Sequence, residues 1–327
     1  MMMNRRTWAL SACLVGTALA FPTIALAQPV TLKFSHEAPE TAIKGRSAKL
    51  MAELVEKYTN GTVKVEVFPG GQLIPTNEEL RAAIRGQVDI VAPYSSYYSA
   101  LDTGWDVFYQ PMLFKSVEAG MDAYNGPIGV ELLKRLEPKG LRGLAMWHDG
   151  PVYAFTTGAP AASPEAFKGL KVRVAASKPQ EALLSKVGAT TISMPATEVY
   201  MALQQGVASG VISTPTYAAP ARWGEVLKSM VRASWGMGGY GVAMNQRSWA
   251  KLNPQQQEGF MKAVRETEAW NRSQSQQNIK DQEAALEKAG LKLSDPTPQQ
   301  VQAWEALVKP IWDAQPAETK RLMGMVK

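Results

Sequence analysis

Between Lys168 and Pro215 the chain switches back and forth between two hydrophobic rhythms. Lys171–Val174 is short and β-branched. Pro179–Val187 carries Leu183, Leu184 and Val187 at helical spacing and stops at Gly188. Thr191–Met194 is another short strand. Thr197 can cap a helix whose apolar face carries Val199, Ala202 and Leu203 and which ends at Gly206, and Val211–Ser213 is a third strand closed by Pro215. Strands alternating with helices across short connections predict a parallel sheet covered by helices. Ligands of such sheets sit beyond the carboxyl ends of the strands.

The N-terminal half repeats the pattern. A period-2 strand from Val30 (Leu32, Phe34) leads through the loop His36–Thr41 into a helix over Ala42–Tyr58. Thr62–Phe68 is a second period-2 strand, turned by Pro69-Gly70-Gly71. Asn77–Arg85 reads as a helix with Thr76 and Glu79 at capping-box spacing. The strand Val88–Ala92 releases the chain into Pro93-Tyr94-Ser95-Ser96-Tyr97, which is either a pocket wall or ordinary loop composition. Val117–Leu136 reads as helix, Leu141–His148 as strand, and Val152–Thr157 as the strand that starts a second lobe. Ser234–Tyr240 (SWGMGGY), before the strand Gly241–Asn245, suits either a binding loop or a crossover between lobes. From Asn253-Pro254 to Gly290 no residue breaks a helical pattern about 54 Å long. Its middle, Asn271–Gln277, is polar all round and is expected to cross between lobes in the open.

The first residues change the picture of where the protein works. Arg5 and Arg6, a long apolar run and Ala25-Leu26-Ala27 form a signal-peptide pattern over residues 1–27. Thr, Ser, Gly and Pro22 interrupt the run, against a membrane anchor, and the lipobox-like Leu10-Ser11-Ala12-Cys13 follows Arg6 too closely for lipoprotein processing. Export to the periplasm is expected, with no membrane insertion after cleavage. Cleavage also removes Cys13, the only cysteine, leaving no disulfide, thiol nucleophile or thiolate metal site. The formal net charge of +6 is spread without runs of like charge, which suits anionic ligands and argues against a nucleic-acid partner. The only histidines, His36 and His148, both end strands, and no HxH, HxxxH or HExxH occurs, so neither metal nor cofactor is expected.

One charge is out of place. Arg173 lies inside a strand between Val172 and Val174, where an unpaired guanidinium is costly to bury. It is either solvated or paired within its own fold, or it is a donor fork aimed at a ligand carboxylate.

The runs KGLKVRV, VGATTISMP and EVYMALQQGVASG, with FPGGQL earlier, resemble the solute-binding proteins of tripartite ATP-independent periplasmic (TRAP) transporters, the DctP-like family, from about residue 30 to about residue 290. The resemblance implies an α/β, two-lobed periplasmic binding protein of the Venus-flytrap type with a long lobe-spanning helix. Lobe I would hold 28–150 plus a returning segment near 238–252, and lobe II 151–237. The long helix would cover 253–290, and 291–327 would add helices packed on one lobe. It makes Arg173 the carboxylate anchor, places Ser213 where sugar-acid binders carry a ligand-contacting Asn, with Thr214 beside it, and carries over Glu198.

Two departures matter. Many members carry a second arginine about twenty residues before the anchor, yet no arginine lies between Arg142 and Arg173, which favours a monocarboxylate. Ser209-Gly210-Val211-Ile212-Ser213 stands where those sugar-acid binders read Asp-Gly-Gln-Glu-Asn. Trp147, Tyr153, Trp235 and Tyr240, with Tyr94, supply aromatics for an aromatic or largely apolar acid, and His36 and Ser95 are further candidate wall residues. The expected function is capture of a small organic acid and its delivery to TRAP permease membrane subunits. A sensor-type binding module and a periplasmic enzyme are the rivals, the latter without GxSxG, cysteine or clustered histidines to support it.

Overall fold

The computed structural model describes residues 29–326, so the expected signal peptide lies outside the described residues. Two sheets organise the chain. The first combines β1 (Val30–Ser35), β2 (Val63–Phe68), β3 (Ile90–Val91), β4 (Leu141–Pro151) and β10 (Met237–Asn245) in the order β2-β1-β3-β10-β4. The second combines β5 (Tyr153–Thr156), β6 (Lys171–Val174), β7 (Thr190–Ser193), β8 (Gly210–Ser213), β9 (Ser229–Val231) and β11 (Lys292–Ser294) in the order β11-β9-β5-β8-β6-β7. As the alternation from Lys168 to Pro215 predicts, β8, β6 and β7 are parallel.

The helices are α1 (Ile43–Tyr58), α2 (Thr76–Arg85), α3 (Val117–Asn125), α4 (Pro127–Lys134), α5 (Lys178–Lys186), α6 (Val199–Gln204) and α7 (Pro215–Ala218). After them come α8 (Gln246–Ala250), α9 (Pro254–Lys288), α10 (Pro298–Asp313) and α11 (Ala317–Met323). The single helix expected over Val117–Leu136 is broken in two. Gly126 ends α3, and Pro127, which has no N–H to continue a helix but a φ suited to starting one, opens α4. The expected Thr76/Glu79 capping box does not form either. Pro75 occupies the cap position, and neither the Thr76 hydroxyl nor the buried Glu79 carboxylate finds a partner.

Two antiparallel crossovers join the lobes. Val152 N–H donates to Gly236 O (3.0 Å) and Trp235 N–H to Val152 O (2.9 Å). Gly236 sits at φ +126, where a Cβ would stand 2.6 Å from Phe108 O, so only glycine fits this crossing. The long α9 is the third connection. Its first half buries Phe260, Ala263 and Val264 against Phe34, Met51 and Val242, and its end buries Leu286 beside Trp223 in the second lobe. Its polar middle is not in the open. Asn271 and Ser275 are buried, and Asn271 accepts from His148 N–H (2.7 Å) and donates to Ser47 (3.2 Å).

The C-terminal helices also depart from expectation, because they serve both lobes. Trp304 of α10 packs on Phe167 and Trp235 of the second lobe. Thr319 of α11 donates to Thr103 O (3.0 Å), and Glu318 pairs with Arg321 and with Arg135 of the first lobe. No helix among the described residues is long and apolar enough to cross a membrane.

Candidate functional site

The carboxyl ends of β1, β3 and β4 face those of β6 and β8 across the cleft. Between them lies a small cavity lined by Glu37, Thr76, Tyr94, Tyr97 and Asp149 of the first lobe and by Arg173, Ala175, Ala196, Ile212, Ser213 and Tyr217 of the second. Its free volume is about 20 Å³, room for one water. The lobes touch around it. Ser96 donates to Ala175 O, Tyr217 to Glu37 O (3.4 Å), and Thr214 and Thr216 to Asp149 (2.5 and 2.9 Å). A far larger hollow, about 820 Å³, opens to solvent between α1, β2 and α9, but mixed surface charges line it and the second-lobe strands contribute no residue to it. Buried polar groups converging from both lobes, rather than volume, identify the site.

Arg173 is 2 % exposed and, among the described residues, has no acid within ion-pairing distance. Its Nε and Nη2 both donate to Met194 O, at 3.0 and 2.8 Å, leaving three of the five N–H donors of a guanidinium uncommitted. Burial pushes its pKa down, opposed by Tyr97, Tyr217, Tyr94 and Glu37, but a guanidinium stays charged. A fixed cation with spare planar donors is chemistry for a carboxylate.

The opposite wall is acidic and aromatic. Burial raises the pKa of Asp149, against the two threonine hydroxyls that stabilise its charge. Burial likewise pushes Tyr97 up to about 12. Glu37 is ion-paired with Lys44, whose ammonium is fully buried and sits 4.1 Å from the centre of the Tyr240 ring. Glu79 stands nearby without a hydrogen-bond partner. Burial above all holds its pKa well above the usual carboxylate range, with Lys44 opposing and Glu37 adding to the rise.

Of the residues singled out from sequence, Arg173 and Ser213 line the cavity, as does Tyr94. Three others brace it from behind. Thr214 holds Asp149 and caps α7, Ser95 bonds the hydroxyls of Tyr109 (2.7 Å) and Tyr124 (2.6 Å), and Tyr240 supports Lys44 and lies edge-on to Tyr94.

The remaining five lie elsewhere. Trp147 is fully buried in the first lobe against Phe34, and Trp235 packs between Phe167 and Trp304. Tyr153 packs against the cluster of Phe155 and Met230, Glu198 is solvent-exposed, and His36 lies edge-on to Phe34 at the floor of the outer groove. Nor do the glycines of SWGMGGY admit a ligand backbone-first. A Cβ at Gly238 would meet Tyr94 and Thr214, and one at Gly239 would meet Tyr124, so the space they leave is filled by the protein's own side chains.

Sequence reasoning missed Glu37, Thr76, Asp149, Tyr217 and, behind them, Lys44. For Lys44 a signal exists. It falls on the same α1 stripe as the buried Ala48, Met51 and Val55, a place where a solvated lysine does not belong.

Residues 34–319 match the family model for bacterial extracellular solute-binding proteins, family 7 (DctP). The chain belongs to this family. A C4-dicarboxylate-binding periplasmic protein DctP of Rhodobacter capsulatus is 35% identical over 95% of this chain and 94% of its own. Among solved structures, a TRAP periplasmic solute-binding protein of Sulfurospirillum deleyianum with bound succinate superposes with a TM-score of 0.86 at 27% identity, covering 92% of this chain and all of that one. One of Pseudomonas aeruginosa with bound L-malate gives 0.83 at 26%, covering 88% and all of that chain. This DctP-family chain is therefore a transport solute-binding protein and not an enzyme.

Proposed function

We propose that this protein captures a small aliphatic carboxylate in the periplasm, seats one carboxylate on Arg173, and hands the closed complex to the membrane subunits of a TRAP permease. The observation that carries the reading is the buried guanidinium with three free donors and no paired acid among the described residues. The names of the relatives support an acid of about four carbons. An aromatic acid loses its support, since Trp147 and Trp235 are committed to core packing. A monocarboxylate is the reading if guanidinium groups alone are counted, because among the described residues Arg173 is the only arginine on this cavity.

With room for one water, the cavity must widen to admit any organic acid, so entry requires the lobes to part about the crossovers at Val152 and Gly236. Donors come from both walls, and a ligand touching both favours the closed form, because only differential contacts shift such an equilibrium. The signal-peptide pattern before residue 28 and the family's partnership with permeases support the location and the handover.

Titration calorimetry on residues 28–327 with short mono- and dicarboxylates tests the proposal. At least one short acid binds with micromolar affinity and Arg173→Ala removes that binding. An unchanged affinity in the variant would overturn the anchor.

A further inference from the structure

β2 is an end strand of the first sheet, and its free edge borders the hollow of about 820 Å³ between α1 and α9. Val30 N–H donates to Thr62 O (2.9 Å) and His36 N–H to Phe68 O (3.1 Å). The even-numbered backbone groups of this stretch therefore face β1, and those of Val63, Val65 and Val67 face outward. Thr59 closes the first of these, because its hydroxyl accepts from Val63 N–H (3.1 Å) and lies 3.3 Å from Val63 O. Val65 and Val67 line the hollow, and no hydrogen bond among the described residues engages their outward N–H and C=O. Two other lining groups are buried without partners, the amide nitrogen of Asn278 (5 % exposed) and the His36 ring. From Lys64 to Pro69 the edge runs about 17 Å, the reach of about five residues of extended chain.

The walls are charged in one sense. Five acids and three bases line the hollow, and two of the bases are already engaged, Lys64 with Glu56 (3.6 Å) and Arg46 with the side-chain oxygen of Asn278 (2.8 Å). Glu40, Glu53 and Glu66 have no ion-pair partner among the described residues, and Asp281 accepts only from the Gln277 amide (2.7 Å). The hollow is thus acidic on a chain whose formal net charge is +6.

We propose that the β2 edge and this hollow dock an extended basic segment of a partner protein. The segment adds a strand beside Val65 and Val67 and sets its lysines or arginines against Glu53, Glu66 and Asp281. A second copy of this chain does not fit. Paired with itself about Val65, β2 needs the groups of Val63 that Thr59 occupies. Paired about Glu66, it sets two like charges opposite each other, and about Val67 it needs an N–H from Pro69, which has none. The end strands of the second sheet offer no match either, since β7 carries no charge and β11 only Lys292. None of the residues of this surface lines the cleft cavity, so docking and carboxylate capture can be read separately.

The probe is the capped peptide acetyl-Lys-Val-Lys-Thr-Val-Lys-amide, with its glutamate-for-lysine analogue as control, added to residues 28–327. Hydrogen–deuterium exchange at the Val65 and Val67 amides, read by NMR, should slow about tenfold with saturating basic peptide and not with the acidic one. Val65→Pro removes an edge donor whose N–H faces away from β1, and should weaken the basic peptide about tenfold. Glu53→Lys/Glu66→Lys leaves the strand backbone alone and should weaken it as much, while reducing its salt dependence. Carboxylate affinity should be unchanged in both variants. Unchanged exchange at Val65 and Val67 under saturating basic peptide overturns the proposal, as does equal binding of the two peptides. A concentration-dependent dimer in analytical ultracentrifugation that Val65→Pro abolishes would also overturn it, by giving the edge to a second copy.

Discussion

The two walls of the cleft are built in opposite ways. The second-lobe wall offers one strong charge with minimal support, Arg173 held by a single backbone carbonyl. The first-lobe wall offers acids and phenols locked into one another. Ser95 ties the hydroxyls of Tyr109 and Tyr124, Tyr124 stacks on Phe108 with ring centres 3.8 Å apart, and Glu37 is fixed by Lys44. One wall supplies attraction, and the other supplies a rigid frame against which the ligand is aligned. A charge left without a counter-charge strains the free protein and gives the ligand something to relieve.

Arg173→Ala is the sharpest way to break that contrast. It should weaken carboxylate binding by roughly 2–5 kcal/mol, the cost of removing one side of a buried charge pair. If the arginine serves the ligand rather than the fold, the melting temperature of the free protein should hold steady or rise in the variant. A large fall in that temperature, read by differential scanning fluorimetry, would make Arg173 a structural residue.

Acid sensitivity should be concentrated on the frame side. His36 and His148 both belong to the first lobe, are buried without partners, and have their pKa lowered to about 3, chiefly by burial. Between pH 6.5 and 3 the unfolded chain takes protons on these rings that the folded one refuses, so stability falls as pH falls. At pH 5 each ring costs about 2 kcal/mol. Asp149 and Glu79, with raised pKa, act in the opposite sense, losing stability as pH rises from the ordinary carboxylate range toward their own raised values. Urea titrations of His36→Gln/His148→Gln should therefore show a flatter acid limb than the wild type between pH 6.5 and 5. An unchanged slope would mean the rings are not buried neutral.

Thr214→Val removes the donor that crosses the cleft to Asp149 and the cap of α7 in one change. A cost of about 1–2 kcal/mol is expected in urea unfolding, with weaker ligand binding because one tie between the walls is gone.

The contrast also explains what the sequence could disclose. The second-lobe wall comes from Arg173, Ile212, Ser213 and Tyr217, all within or just past one strand–helix alternation, and a charged residue inside a strand betrays its own burial cost. The first-lobe wall draws Glu37, Thr76, Tyr94, Tyr97 and Asp149 from distant segments. No local pattern links them, and Asp149 reads from sequence as no more than part of an Asp-Gly-Pro turn. Hydrophobic periodicity also cannot say which side of a strand buried on both faces turns toward the cleft, and so Trp147 reads as a candidate although it packs behind the sheet. The polar middle of α9 misleads for a related reason. Side chains such as Asn271 are polar because they bond first-lobe groups, the backbone N–H of His148 and the hydroxyl of Ser47, not because they meet water.

The smallest expected effect on binding tests that last distinction. Trp147→Phe and Trp235→Phe each remove part of a large buried side chain, at a cost of about 1–2 kcal/mol in stability from lost packing. Neither indole lines the cavity, so the dissociation constant for a short carboxylate should stay within about twofold, a few tenths of a kcal/mol. Calorimetry beside a melting curve separates the two readouts. A tenfold loss of affinity at Trp147 with little change in melting temperature would return an aromatic platform to the first-lobe wall, and the division between a charged wall and a hydroxyl-and-acid frame would have to be redrawn.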